Sequence, residues 1–187
     1  MIVKAMSDKQ IAKFNMCTME YKGGAMKSDL SPVLFEEKYY GKYKELINDC
    51  YYEMRKELNI RPYGDYCGGL EEVIKQKDDI FLLLGDEEII CSATCSGNQI
   101  GNVAVNLKYQ RQGYGRKIMG FAISHLQKRG EHPIKLTVTR WNKGAMELYE
   151  SMGFELVGET VVEGVSAKGA DGNWVFEFTE TDGMDLR

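Results

Sequence analysis

The chain has 187 residues, 43% of them hydrophobic, with a formal net charge of −4 and a sequence pI near 5.4; that supports one domain, 1–187, around one core and argues against a nucleic-acid partner, whose phosphates need a basic face. The longest aliphatic or aromatic run, Ile80–Leu84, is far too short to cross a membrane, and residues 1–10 lack the apolar stretch of a signal peptide. Five cysteines without a Cys-x-x-Cys pair point to reduced thiols in a cytoplasmic protein, with neither a disulfide framework nor a metal.

In chain order, residues 12–20 read as a first strand, followed by a loop carrying Gly23, Gly24, Ser31 and Pro32. An apolar stripe through Tyr43, Leu46, Ile47, Cys50, Met54 and Leu58 predicts a helix over 39–58 that stops before Pro62. Turn-rich residues 61–69 lead into a shorter helix over 70–76. Seven of the eleven tyrosines fall between Tyr39 and Tyr66; they serve either as helix packing or as an aromatic wall for a cationic amine. Ile80–Leu84, Ile89–Ser96 and residues 100–107 are strands joined by short turns, so they must run antiparallel. Cys91 and Cys95 lie on one face of the middle strand without metal-ligand spacing.

The third strand breaks into Gln-Arg-Gln-Gly-Tyr-Gly-Arg over residues 110–116, a short basic turn. The missing Cβ atoms of Gly113 and Gly115 let backbone N–H groups converge, and the next helix adds its positive N-terminal end. Together these make a cradle for an anion such as a pyrophosphate. That helix carries Ile118, Met119, Ala122, Ile123 and Leu126 on one face and ends at Gly130, before Pro133. His125 lies off the stripe, and it and His132 read as surface residues. The strand at 134–139 returns by a helical crossover, parallel to the strand before the cradle, and opens a gap beside it. Asn142 caps a further helix with Ala145, Leu148, Tyr149 and Met152 inward and Gly153 at its end. Strands at 154–162 and Trp174–Thr181 then pair across a glycine-rich loop, 164–173, and the tail 182–187 is expected to fray.

Two segments, Gln110-x-x-Gly113-x-Gly115 and Asn142-x-x-Ala145-x-x-Leu148-Tyr149-x-x-x-Gly153-Phe154, resemble in this order the GNAT superfamily of acyl-CoA-dependent N-acyltransferases, over residues 100–156. The resemblance implies a mixed α/β fold, with a mostly antiparallel sheet, a splayed parallel central strand pair and helices on both faces. It implies acetyl-CoA as cosubstrate. Val103 and Val105 would pair with the pantetheine arm, the turn formed by Arg111, Gln112, Gly113, Tyr114, Gly115 and Arg116 would hold the pyrophosphate, and Asn142 would contact the ligand. Arg111, Arg116 or Lys117 would add diffuse positive charge. The implied reaction is acetyl transfer to a primary amine of a small molecule, peptide or protein, by direct attack in a ternary complex. Its partners are then acetyl-CoA and an amine acceptor, with no nucleic acid and no membrane; a homodimer stays open.

Such a transfer needs a donor for the oxyanion, a neutral amine and a proton for the leaving thiolate. The same resemblance makes Tyr149 the general acid, and a phenol stays protonated at neutral pH; the competing reading is a core tyrosine one turn after Ala145. A free N–H near Val105 would polarise the thioester carbonyl, unless the strand is interior with no donor to spare. The base is open: residues 96–110 contain no Asp or Glu, which leaves water, Glu20, Glu36, Glu37 or Asp49. Two other functions stand beside transfer. One is a non-catalytic acyl-CoA-binding module acting as a sensor or partner subunit. The other is a nucleotide-binding turn, against which no Lys-Ser/Thr pair follows Gly115.

Overall fold

The computed structural model describes residues 9–168 and 174–181. The first strand, β1 (Gln10–Tyr21), runs further at both ends than its sequence pattern marks. A two-residue strand, β2 (Val33–Leu34), precedes α1 (Tyr40–Glu57), which buries Tyr43, Leu46 and Ile47 as its spacing requires. The next helix, α2 (Leu70–Ile74), ends early because Lys77–Asp79 tighten into a 3-10 turn before the sheet resumes.

The meander consists of β3 (Ile80–Leu84), β4 (Ile89–Ser96) and β5 (Gln99–Val105). β5 stops short of Leu107 because the Asn106 side chain accepts from Lys108 N at 3.1 Å and caps a 3-10 turn at Leu107–Tyr109. Then come α3 (Tyr114–Lys128), β6 (Lys135–Thr139), α4 (Lys143–Glu150), β7 (Phe154–Lys168) and β8 (Trp174–Thr181). β7 continues through residues 164–168, where a loop was expected. There Ser166 pairs with Gln10 on one side and Phe176 on the other, and a ladder on both edges overrides the glycine signal. Residues 169–173 of that expected loop and the tail 182–187 lie outside the described residues.

The strand order is β2-β3-β4-β5-β6-β1-β7-β8. Among the described residues only β5 and β6 run parallel, and their register is confined to Gln99↔Lys135 and Ile100↔Leu136, after which they part. β1 flanks β6 on its other side, with Met16 opposite Thr139, and so lies inside the sheet between β6 and β7. Along β3, Ile80 and Leu82 face α1 and α2 while Phe81 faces α3, so helices cover both faces. A register shift between β4 and β5, with Asn102 at φ 43, inserts one residue and turns the alternation of β5 over. Ile100 consequently packs on the α3 side and Ala104 on the α1 side.

Cys91 and Cys95 share one buried face, and all five cysteines are free. Among the described residues no group of His, Cys, Asp and Glu is arranged to hold a metal, and no helix is long and apolar enough to cross a membrane. His132 is exposed, but His125 is not the surface residue its spacing suggests. Its ring lies 4.7 Å from Phe81 and 5.6 Å from Phe121, because Phe81 on β3 reaches past the main stripe of α3. Burial pushes its pKa down.

Candidate active site

Where β5 and β6 part, a cleft of about 800 Å³ draws its walls from helices on both faces of the sheet. Val103, Val105, Arg111, Gly113, Gly115, Arg116, Asn142 and Tyr149 all line it. Gln112 and Tyr114 do not. Gln112 Nε2 instead donates to Lys108 O at 2.9 Å, and Tyr114 stands edge-on to Tyr109 at 5.8 Å with the Lys117 ammonium over its ring. Both side chains brace the turn from outside.

The two glycines of the turn have different physical reasons. Gly113 is the N-cap of α3 at φ 87, a left-handed conformation that favours glycine. A Cβ there would meet no atom within 4 Å, so the turn is open at this point. At Gly115 a Cβ would lie 3.2 Å from Leu148 Cδ2 and 3.8 Å from Val105 Cγ2, so its absence lets α3 approach α4. Arg116 Nη2 donates to Ser151 Oγ at 2.7 Å, which ties this guanidinium to the end of α4. Arg111 is exposed.

Asn106 N donates to Ile90 O on β4 at 2.9 Å. Backbone groups alternate sides along a strand, so Val105 turns its N–H and C=O away from β4, toward the side from which β6 has diverged. The Val105 carbonyl there accepts from Cys50 Sγ at 3.2 Å and from Gln110 Nε2 at 3.1 Å. The end of β5 is therefore not an interior ladder with every donor committed to a neighbouring strand.

Tyr149 is only 8% exposed, with its ring 6.0 Å from that of Phe154, and it nevertheless lines the cleft. The core and cleft readings of this residue hold together. Burial pushes its pKa up to about 12. Asn142 likewise does two things: its Oδ1 accepts from Ala145 N at 3.1 Å as a helix cap, and the residue stands on the cleft wall. Thr139, at the end of β6, is 6% exposed and lines the cleft, and its buried Oγ1 has no hydrogen-bond partner among the described residues. A buried hydroxyl left unpaired is costly, which makes it a point where a ligand would be stabilising.

The acetyltransferase (GNAT) family model matches residues 41–154, more than half of the chain. The chain belongs to the GNAT acetyltransferase family. It is 47% identical over 53 residues to the ribosomal protein bS18-alanine N-acetyltransferase of Escherichia coli strain K12, covering 28% of this chain and 36% of that one. The corresponding enzyme of Haemophilus ducreyi is 35% identical over 68 residues, 36% of this chain and 47% of its own. The chain thus spans less than half the length of these curated relatives. A GNAT-family structure from Novosphingobium aromaticivorans matches with a TM-score of 0.64 at 16% identity, covering 90% of this chain and 71% of that one. A GCN5-related N-acetyltransferase from Sphaerobacter thermophilus matches at 0.57 and 14% identity, with coverages of 96% and 55%. These likenesses establish a shared fold, the mixed sheet with a splayed parallel pair that the sequence motifs imply.

In this GNAT protein none of Glu20, Glu36, Glu37 and Asp49 lines the cleft. Glu20 pairs with Lys22 and Lys135, and Glu36 pairs with Lys38. Among the described residues the carboxylate on the cleft wall is Glu53, which sequence reasoning passed over because a charged, exposed position beside the apolar stripe of α1 reads as solvated. Of the seven tyrosines between Tyr39 and Tyr66, only Tyr51 and Tyr66 reach the wall, with rings 5.1 Å apart. The Arg55 guanidinium sits 4.6 Å from the Tyr66 ring. Met16, Met54 and Trp141 also line the cleft. A second cavity of about 430 Å³, under residues 66–68 and α2, shares Tyr66 and Asn102 with the cleft.

Proposed function

We propose that the chain is an acetyl-CoA-dependent N-acetyltransferase acting on a primary amine of a small molecule or of a peptide or protein. One observation carries this reading. An open glycine turn at a helix N-terminus, an outward-facing strand end and a buried phenol share a single cleft. The backbone N–H groups of residues 111–116 suit a pyrophosphate, and the outer edge at Val103 and Val105 suits the amide-bearing pantetheine arm as an added strand. The Val105 N–H would then polarise the thioester carbonyl. Tyr149 stays protonated across the physiological range and would give its proton to the departing thiolate. The cleft volume is that of a small-molecule site. Relatives named for acetylating an alanine of a ribosomal protein favour a peptide amine as acceptor, and five free thiols favour a reducing, cytoplasmic setting.

A thermal-shift comparison of acetyl-CoA, CoA, ATP and NAD tests the ligand assignment. At a hundredfold excess over Kd, acetyl-CoA and CoA should raise Tm by roughly 5–10 °C, with ATP and NAD giving far less. No shift with acetyl-CoA, or a larger one with ATP or NAD, would contradict the assignment.

A further inference from the structure

Charge is distributed unevenly around the cleft. Its basic side chains, Arg111 and Arg116, belong to the cradle end, and its acidic one among the described residues, Glu53, belongs to α1. Glu53 is exposed, and its carboxylate makes no hydrogen bond or ion pair among the described residues. A pyrophosphate is matched by the two arginines and repelled by the glutamate.

The place of Glu53 follows from the periodicity of α1. Cys50 Sγ donates to Val105 O at 3.2 Å, which fixes this turn of α1 against the end of β5. Glu53 and Met54 follow at i+3 and i+4, on the same helix face and about 5–6 Å from Cys50 between Cβ atoms, a span a glutamate side chain covers. The same cleft is lined by Tyr51 and Tyr66, whose rings stand 5.1 Å apart with the Arg55 guanidinium 4.6 Å from the Tyr66 ring. Trp141, 44% exposed, lines the cleft from the β6–α4 connection. An unpaired carboxylate in a cleft that also carries aromatic side chains is matched to an alkylammonium: the charge pairs with the carboxylate, and the methylenes are suited to the rings.

We propose that Glu53 receives the ammonium group of the acceptor and takes its proton, so that the acceptor class is a primary alkylammonium with no carboxylate next to the amine. Peptide N-termini, amino-acid amides and simple alkylamines qualify; free amino acids, whose own carboxylate would face Glu53, do not. This rests on the N-acetyltransferase reading above. The ammonium passes one proton to the Glu53 carboxylate, and the freed lone pair forms the C–N bond to the thioester carbonyl carbon as the C–S bond breaks. The thiolate takes the Tyr149 proton, the second amine proton restores the phenol, and Glu53 returns its proton to water.

Steady-state kinetics with alaninamide and free alanine, following acetylated product by mass spectrometry, test the assignment in the full chain. In Glu53→Gln the acceptor KM should rise several-fold and kcat should fall by about 10²-fold, the usual scale for a positioned base. Acetyl-CoA affinity should be unchanged, which also reports that the variant is folded, and Glu53→Asp should recover part of the loss. The wild type should prefer alaninamide to alanine, and Glu53→Gln should narrow that preference. Wild-type kcat/KM and preference in Glu53→Gln would overturn the role of Glu53 alone. Absence of product from the wild type with either of these and with a panel of further amines would overturn the N-acetyltransferase reading and this proposal with it.

Discussion

Gly115 and Leu148 meet across the cleft floor, where a Cβ on the first would lie 3.2 Å from Cδ2 of the second. They belong to the two segments that mark the family, so this contact joins the cradle helix α3 to the tyrosine helix α4. Gly115→Val must push Leu148 aside, and overpacking of this kind costs about 1–3 kcal/mol. Because Leu148 precedes Tyr149, turnover should drop together with the urea midpoint. Unaltered stability and turnover would mean that α4 accommodates the side chain without moving the phenol.

Gly113 makes a different prediction, since nothing crowds it and its φ is 87. Gly113→Val adds a branched side chain to the open face of the turn and strains its backbone, by about 1–3 kcal/mol. Acetyl-CoA affinity should fall far more than in Arg111→Ala, which removes only an exposed, salt-screened charge. Isothermal titration giving the opposite order would place the affinity in the side chains rather than in the backbone cradle.

Tyr149→Phe keeps the ring on Phe154 and removes the hydroxyl. The kcat should fall by about 10²-fold with acetyl-CoA binding nearly intact. Normal turnover would make the phenol a packing residue and leave the thiolate to be protonated by water.

The same tyrosine predicts an alkaline limit to stability. Burial raises its pKa from 10.0 to about 12, so above pH 10 the unfolded chain releases this proton and the folded chain holds it. Unfolding is thereby favoured as pH rises: the contribution is fully present below pH 10 and is lost toward pH 12, by about 3 kcal/mol in the limit. Urea midpoints measured from pH 8 to pH 12 should decline over that window, and less steeply in Tyr149→Phe. Identical slopes in the two proteins would contradict the burial of this hydroxyl.

Rate should depend on pH through the acceptor. An alkylamine titrates near the lysine value, so in Glu53→Gln, which has no carboxylate to take the ammonium proton, kcat/KM should climb above neutrality, approaching tenfold per unit, with no fall from Tyr149 before about pH 12, whereas Glu53 should flatten that climb in the wild type. A decline between pH 8 and pH 10 would show that another group must stay protonated.

Much of the cradle and of α4 is legible in the sequence because the signals there are local. Gly113 turns the chain at φ 87, Gly130 and Gly153 have positive φ at helix ends, and Asn142 caps α4 through Ala145 N. What lies beside β6 is not local. Nothing in residues 10–21 distinguishes an interior strand from an edge strand, and only the folded sheet sets Met16 opposite Thr139. Glu53 stays hidden for the same reason: on α1 alone it is a solvated position, and the approach of Cys50 to Val105 makes it part of a wall. His125 misleads because its partner Phe81 belongs to a distant strand. Residues 164–168 mislead because pairing with β1 and β8 outweighs a glycine.

The most direct test of acetyl transfer in this cleft is mass spectrometry of a panel of primary amines and alanine-terminated peptides, incubated with acetyl-CoA and the purified chain. The expected result is acetylated product formed in proportion to protein, and about 10²-fold more slowly with Tyr149→Phe. Acetyl-CoA that binds yet stays intact beside every amine would contradict it and make the chain a non-catalytic acyl-CoA-binding module.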